Sequence, residues 1–175
     1  GTPLLDACRV LCSSPAAVSA CKIPNRNGDL PLHIAARRSV GDDVLSCILQ
    51  TDVSAAKVLN WNGLAPIHVA VTTFCKNSAK QFSTRKKSSV RVPTSSALGI
   101  FLQSCPETAA DLDADGNTAL HLLLAHGAGT QVAAAPIIEE VLAACPAAVS
   151  IQRPATGETA LMVAVRTLSL ARVIR

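Results

Sequence analysis

The sequence predicts an all-α fold, a stack of helices joined by short turns. Three observations predict it. A ten-residue phrase is written three times, as "NGDLPLHIAA" from Asn27, "NGLAPIHVAV" from Asn62 and "DGNTALHLLL" from Asp115. A second phrase, "SPAAVS" at Ser14–Ser19, returns as "CPAAVS" at Cys145–Ser150. The apolar residues, 49% of the chain, are mainly Ala, Leu and Val, with no Tyr, one Trp and three Phe. Small apolar side chains suit close helix–helix stacking and do not fit a β-sandwich or an aromatic-lined cleft.

Each element has a local cause. Asn-Gly and Asp-Gly open a turn, because Gly accepts positive φ without steric cost. Thr before a helix is a good cap, and Pro is at ease at the first helical position. Leu32-x-x-Ala35 and Ile67-x-x-Ala70 then set a large and a small residue on one helix face. Gly157-Glu158-Thr159-Ala160-Leu161-Met162 is a further copy with Met in the histidine's place, and Thr2-Pro3-Leu4-Leu5-Asp6-Ala7 reads as a truncated copy before them all. Second helices are expected at Val44–Gln50, Ser95–Ser104 and Ile137–Ala144. Each runs into the Pro-Ala-Ala phrase or a looser version of it, at Asp52–Lys57, Cys105–Ala110 and Cys145–Ser150, where Pro stops the helix. The unit reads helix, turn, helix, loop.

This pattern resembles the ankyrin repeat, whose signature is Asp-x-x-Gly-x-Thr-Pro-Leu-His-x-Ala in a period of ~33 residues. The resemblance covers most of the chain. It implies a solenoid of about five helix–turn–helix repeats with turn tips along one edge, in a single domain. The repeats run roughly over 1–24, 25–59, 60–112, 113–152 and 153–175, with a basic insert at 76–93. The chain departs from the family pattern in its Pro-Ala-Ala loops, in Thr-Pro pairs that survive complete only at Thr2-Pro3, and in uneven spacing. From Leu5 the intervals to His33, His68, His121 and Met162 are 28, 35, 53 and 41 residues. Because it begins in mid-phrase, the sequence is expected to be a piece of a longer chain.

The long interval holds the insert, "CKNSAKQFSTRKKSSVRVPTSS". It carries Lys76, Lys80, Arg85, Lys86, Lys87 and Arg91, and no Asp or Glu occurs between Asp52 and Glu107. The chain has 16 Lys and Arg against 12 Asp and Glu, so without those six the net charge of +4 would turn negative. The positive character is therefore local. Its Ser/Thr/Lys composition predicts a solvated loop between two helices. Such a loop either only solubilises the chain or tethers it to an acidic protein, nucleic acid or acidic lipid. Phosphorylation at Ser88 in Arg85-Lys86-Lys87-Ser88 would cancel part of the charge.

No catalytic, cofactor or metal site is expected. The resemblance implies that His33, His68 and His121 bond within and between the turns that start the helices, with Thr118 partnering His121. Lying in successive repeats ~10 Å or more apart, they cannot share a metal. His126 falls near a helix end and is expected on the surface. Cys75 lies about two helical turns, roughly 10 Å, beyond His68, too far for a catalytic dyad. The seven cysteines contain no Cys-x-x-Cys pair. Cys8 and Cys12 share a helix face without a nearby His, and all seven read as reduced, small apolar residues in an intracellular protein. No apolar run reaches the ~18 residues of a membrane span.

The function expected from the resemblance is partner binding, as a scaffold or adaptor, through turn tips and the inner helix face. The matching positions are Arg26, Asn27, Asp29, Arg37 and Arg38; Trp61, Asn62, Leu64, Thr72 and Thr73; Asp115, Asn117 and His126; and Glu158 and Arg166. Trp61, the only Trp, has two readings: an exposed anchor for a partner, or a ring folded down on the adjacent turn.

Overall fold

The structure, a computed structural model, describes residues 3–38, 40–84, 96–127 and 135–173. It is all-helical, without strands among the described residues. In chain order the helices are α1 Pro3–Cys12, α2 Ala17–Cys21, α3 Pro31–Arg38, α4 Asp42–Thr51, α5 Pro66–Thr84, α6 Ser96–Ser104, α7 Ala119–Gly127, α8 Ala135–Ala144 and α9 Ala160–Val173. Proline is the first residue of α1, α3 and α5, where its missing N–H costs no helical bond. The Pro-Ala-Ala segments are not open loops. They wind into single 3₁₀ turns at Val53–Lys57, Pro106–Ala110 and Pro146–Val149, and into the short α2. Their alanines explain why: Ala17, Ala55, Ala56, Ala109 and Ala148 are all buried, so the turns are drawn into the core.

The helices form two rows. In one, α3 packs on α5, α5 on α7 and α7 on α9; in the other, α1 packs on α4, α4 on α6 and α6 on α8. The rows are joined by α3 with α4, α5 with α6 and α7 with α8. The core runs between them and is built of Leu32, Leu45, Leu49, Ile67, Leu98, Phe101, Leu123, Ile137 and Val141 with many alanines. Thr2–Ala7 is thus not a first copy of the turn-and-helix phrase. α1 stands in the row of α4, α6 and α8, and like α8 it leads into a Pro-Ala-Ala segment. The Thr-Pro match was misleading because Pro opens helices of either row.

The insert also needs correcting. A loop was expected from Lys76, but α5 continues without interruption to Thr84. "CKNSAKQFST" contains no Gly or Pro and several good helix formers, so nothing in it ends a helix. Lys76 is exposed on α5, and Lys80 lies on the same helix. Arg85, Lys86, Lys87, Ser88 and Arg91 fall outside the described residues.

Four turns enter α3, α5, α7 and α9, and all are built alike. Gly28, Gly63, Gly116 and Gly157 have φ between 68° and 77°, the left-handed region. The backbone closes on itself with Gly28 N–H to Asn25 O at 3.0 Å, Gly63 to Asn60 at 2.8 Å, Gly116 to Asp113 at 3.0 Å and Gly157 to Arg153 at 2.8 Å. Three turns add a side-chain brace. The Oδ1 of Asn25 accepts from the N–H of Asn27 and Asp29, that of Asn60 from Asn62 and Leu64, and that of Asp113 from Asp115 and Asn117. Arg153 replaces that residue in the last turn, which is one residue longer.

The histidines join one turn to the next. His33 Nδ1 accepts from the N–H of Leu30 at 3.1 Å, and its Nε2 donates to Leu64 O of the following turn at 2.9 Å. His68 repeats the pattern with Ala65 N–H at 3.2 Å and Asp111 O at 3.2 Å. His121 accepts from the Thr118 hydroxyl at 2.8 Å and donates to Glu158 O at 3.3 Å. These partners require the neutral ring with its proton on Nε2. All three rings are buried, and burial holds their pKa below the ordinary 6.5.

Because the unfolded chain then binds protons that the folded chain refuses, this stability is complete above about pH 6.5 and is lost as pH falls through the window below it. Between about pH 7.5 and about pH 5.5 each histidine should remove up to ~1.4 kcal/mol, seen as a lower urea midpoint at constant slope. His121→Ala should cost ~1–3 kcal/mol because it strips turn groups of their partners. His126, exposed on α7, should cost ~0.5 kcal/mol or less. A midpoint that does not move between the two pH values would show that the rings are not buried neutral joints.

Candidate functional site

The turns and the α3–α5–α7 row share one face, and most of the predicted contact residues lie there. A groove of about 450 Å³ is lined by Asn27, Asp29, Arg37, Asn62, Leu64, Thr72 and Thr73, with Val69, Lys76 and Asn77. The first seven were expected from sequence. A second, more apolar hollow of about 360 Å³ is lined by Thr72, Cys75, Lys76 and His126. Thr72 and Lys76 border both, so the two form a continuous trough from the turn before α3 to the end of α7.

The groove has a structural cause in the register of each unit. In the first and last turns the residue after the glycine pairs with the residue eight positions later, near the end of the following helix. In the first turn these are Asp29 and Arg37, paired by two hydrogen bonds at 2.5 and 2.9 Å. In the last they are Glu158 and Arg166, 2.9 Å apart, with Arg153 closing on the same carboxylate at 3.3 Å. In the second turn the same positions hold Leu64 and Thr72, which cannot pair in this way. The trough opens there, between a charged wall and a short polar side chain.

Asp29 needs a correction. A contact residue was expected, but its side chain is fully buried, held by Arg37 and by Asn60 Nδ2 at 2.7 Å from the next turn. The Arg37 hydrogen bonds hold its carboxyl below the usual carboxylate range. Arg37 is committed to this pair and is not a free cation, although 42% of its side chain is exposed. Likewise Asn117 turns back on the Asp113 carboxylate at 3.1 and 3.2 Å, and Glu158 is held by its two arginines. Arg26, Asn27, Arg38, Asn62, Asp115, His126 and Arg166 are exposed as expected, while Leu64, Thr72 and Thr73 are half-buried.

Trp61 answers to parts of both readings. Its backbone N–H donates to Asn27 O at 3.3 Å, and its indole lies on Gly28, where a Cβ would come within 2.4 Å of Cδ1. The residue nevertheless remains 74% exposed. It rests on the preceding turn by one part and presents the rest outward, beside two groove residues, Asn27 and Asn62. The asparagines and aspartate that brace the turns were not among the predicted residues. Their signal was present: each stands three residues before a turn glycine.

Among the described residues one side-chain group has metal-ligand spacing: Cys8, Cys12 and Cys47, with all three sulfur atoms within 4.8 Å of one another. All seven cysteines are free thiols. Burial and neighbouring thiols raise the pKa of Cys47 to about 11, and burial alone does the same for Cys75. The sequence showed Cys8 and Cys12 on one face but could not show that α4 brings a third sulfur to them. His68 and Cys75 form no pair: the imidazole is spent on two backbone groups and the thiol is buried and protonated.

Arg37→Ala should destabilise the fold by ~1–3 kcal/mol, since it leaves a buried carboxylate with only an amide partner, the half-exposed guanidinium being partly screened by water. Arg38→Ala, one residue along, should stay within ~0.5 kcal/mol. Denaturant melts of the two variants check this, and equal midpoints would return Arg37 to the free surface.

No protein-family model matches the chain, and no curated protein matches it significantly.

Proposed function

We propose that the chain is a protein-interaction scaffold of ankyrin-like repeats that holds a partner segment in the trough along the turns and the α3–α5–α7 row. The observation that carries this reading is the convergence of Asn27, Asn62, Leu64, Thr72 and Thr73 on one open groove. Asn27 comes from one copy of the phrase and the other four from the next, so two neighbouring units build one surface. The exposed amides of Asn27 and Asn62, with the half-buried Leu64, Thr72 and Thr73 beside them, suit the backbone and side chains of an extended peptide or loop. Trp61 supplies a large, exposed aromatic surface at the adjoining turn, the residue type that most often dominates an interface. A non-catalytic role accords with His33, His68 and His121, whose rings are engaged in bonds to the turns, and with Cys75, whose thiol pKa burial raises. No helix among the described residues is long and apolar enough to cross a membrane.

The test is capture of partners by the tagged chain. Trp61→Ala should weaken binding by ~2 kcal/mol or more. With the residue 74% exposed, the same change should alter stability by only ~1 kcal/mol or less. Glu140→Ala on the exposed side of α8 should leave capture unchanged. Replacing Arg85, Lys86, Lys87 and Arg91 by Gln, or raising the salt, should weaken it only slightly. Loss of all captured protein on those Gln replacements, with Trp61→Ala neutral, would transfer the function to the basic insert as an electrostatic tether to nucleic acid or acidic membrane.

A further inference from the structure

The row of α1 and α4 carries a group with different chemistry. Cys8 and Cys12 are one helical turn apart on α1 and point the same way, their sulfur atoms 4.0 Å apart. α1 packs on α4, which brings Cys47 to them, so that every pair of the three sulfurs lies within 4.8 Å. This convergence depends on the packing of two helices some 35 residues apart in sequence, and it places three thiols at half-buried positions. Neither structural nor surface cysteines need to meet in threes.

We infer that Cys8, Cys12 and Cys47 form a binding site for one thiophilic d¹⁰ cation, Zn(II) or Cu(I). The dimensions fit. With Zn–S bonds of ~2.3 Å, tetrahedral geometry puts sulfur atoms ~3.8 Å apart. The Cys8–Cys12 separation is already close to this, and Cys47 reaches it by a small side-chain rotation. The donor set decides the class. No His, Asp or Glu among the described residues joins the three sulfurs, so the site is all-soft and selects against Mg(II) and Ca(II). Three thiolates complete a trigonal Cu(I) site, or leave zinc one position for water. Half-burial lets an ion enter while the helix pair holds the ligands on two rigid elements. The bound ion would also cross-link α1 to α4 and so fix the first helix onto the stack. Binding breaks three S–H bonds, and the protons pass to buffer as the metal–sulfur bonds form, without change of oxidation state.

The reduced full-length chain, kept free of oxygen, is titrated with Co(II) alone. Zn(II) is then added to displace it, and Cu(I) is supplied separately from a weak chelator. One equivalent of metal should bind, with a thiolate-to-cobalt charge-transfer band that zinc abolishes and a rise in melting temperature with zinc or copper. Cys8→Ser, Cys12→Ser and Cys47→Ser should each weaken binding by at least ~tenfold, and Cys145→Ser should not. Cys47→Ala, with circular dichroism on every variant, separates loss of a ligand from loss of the fold. Stoichiometric zinc binding assigns the site to zinc, and copper binding without zinc assigns it to Cu(I). Failure of both ions to bind, or binding that survives unchanged in a folded Cys47→Ser variant, overturns the site.

Discussion

The structure depends on an imidazole placed so that each of its nitrogens serves a different turn. Nδ1 takes the N–H at the start of its own helix, and Nε2 gives its proton to a backbone carbonyl in the following turn or just before it. A ring is rigid, so the two bonds hold successive turns at a constant separation. The turn glycines complete the constraint. Their positive φ and lack of a side chain let the next turn come into contact, with Trp61 on Gly28, Ala114 on Gly63 and Pro154 on Gly116. Backbone bonds from Trp61 to Asn27 and from Ala114 to Gly63 run in the same direction. Pro154 has no N–H to repeat that bond, and Met162 has no ring to repeat the joint.

With turn spacing held in this way, what differs between units becomes readable as surface chemistry. In the first and last units the position after the glycine is paired with the one eight residues later. Where they are Asp29 and Arg37, or Glu158 and Arg166, they close on one another. Where they are Leu64 and Thr72, they leave room. One scaffold therefore makes both a closed, charge-paired edge and an open trough, and the difference is a matter of two side chains. The same logic places the proposed functions apart. The trough belongs to the row that carries the turns, and the three thiols belong to the other row, between α1 and α4.

The row assignment also explains the echo of Pro-Ala-Ala. Each copy follows a helix of the α1–α4–α6–α8 row and buries one or two of its alanines against the core, so it acts as a one-turn wedge between one unit and the next. Asp52 caps such a turn by accepting from Ser54 N–H at 3.1 Å. Thr108 does the reverse and gives its hydroxyl to Cys105 O at 2.7 Å.

The sequence by itself determined the helical class, the four glycine turns, the helix starts at Pro31 and Pro66, and the partner that each structural histidine finds within its own turn. All are local: a turn needs its glycine, a helix its first residue, and a ring its partner three positions back. Only the tertiary structure decided the rest. It put α1 in the row of α4, α6 and α8, carried α5 on to Thr84, and buried Asp29 between Arg37 and Asn60. It set the indole of Trp61 partly down on Gly28, and it brought Cys47 to Cys8 and Cys12. Each of these depends on a neighbour from another part of the chain, or on the absence of anything to stop a helix, and a one-dimensional pattern records neither. Spacing along the chain specifies what a residue can reach within its own turn or helix; which residue comes to meet it from the next element is settled by packing.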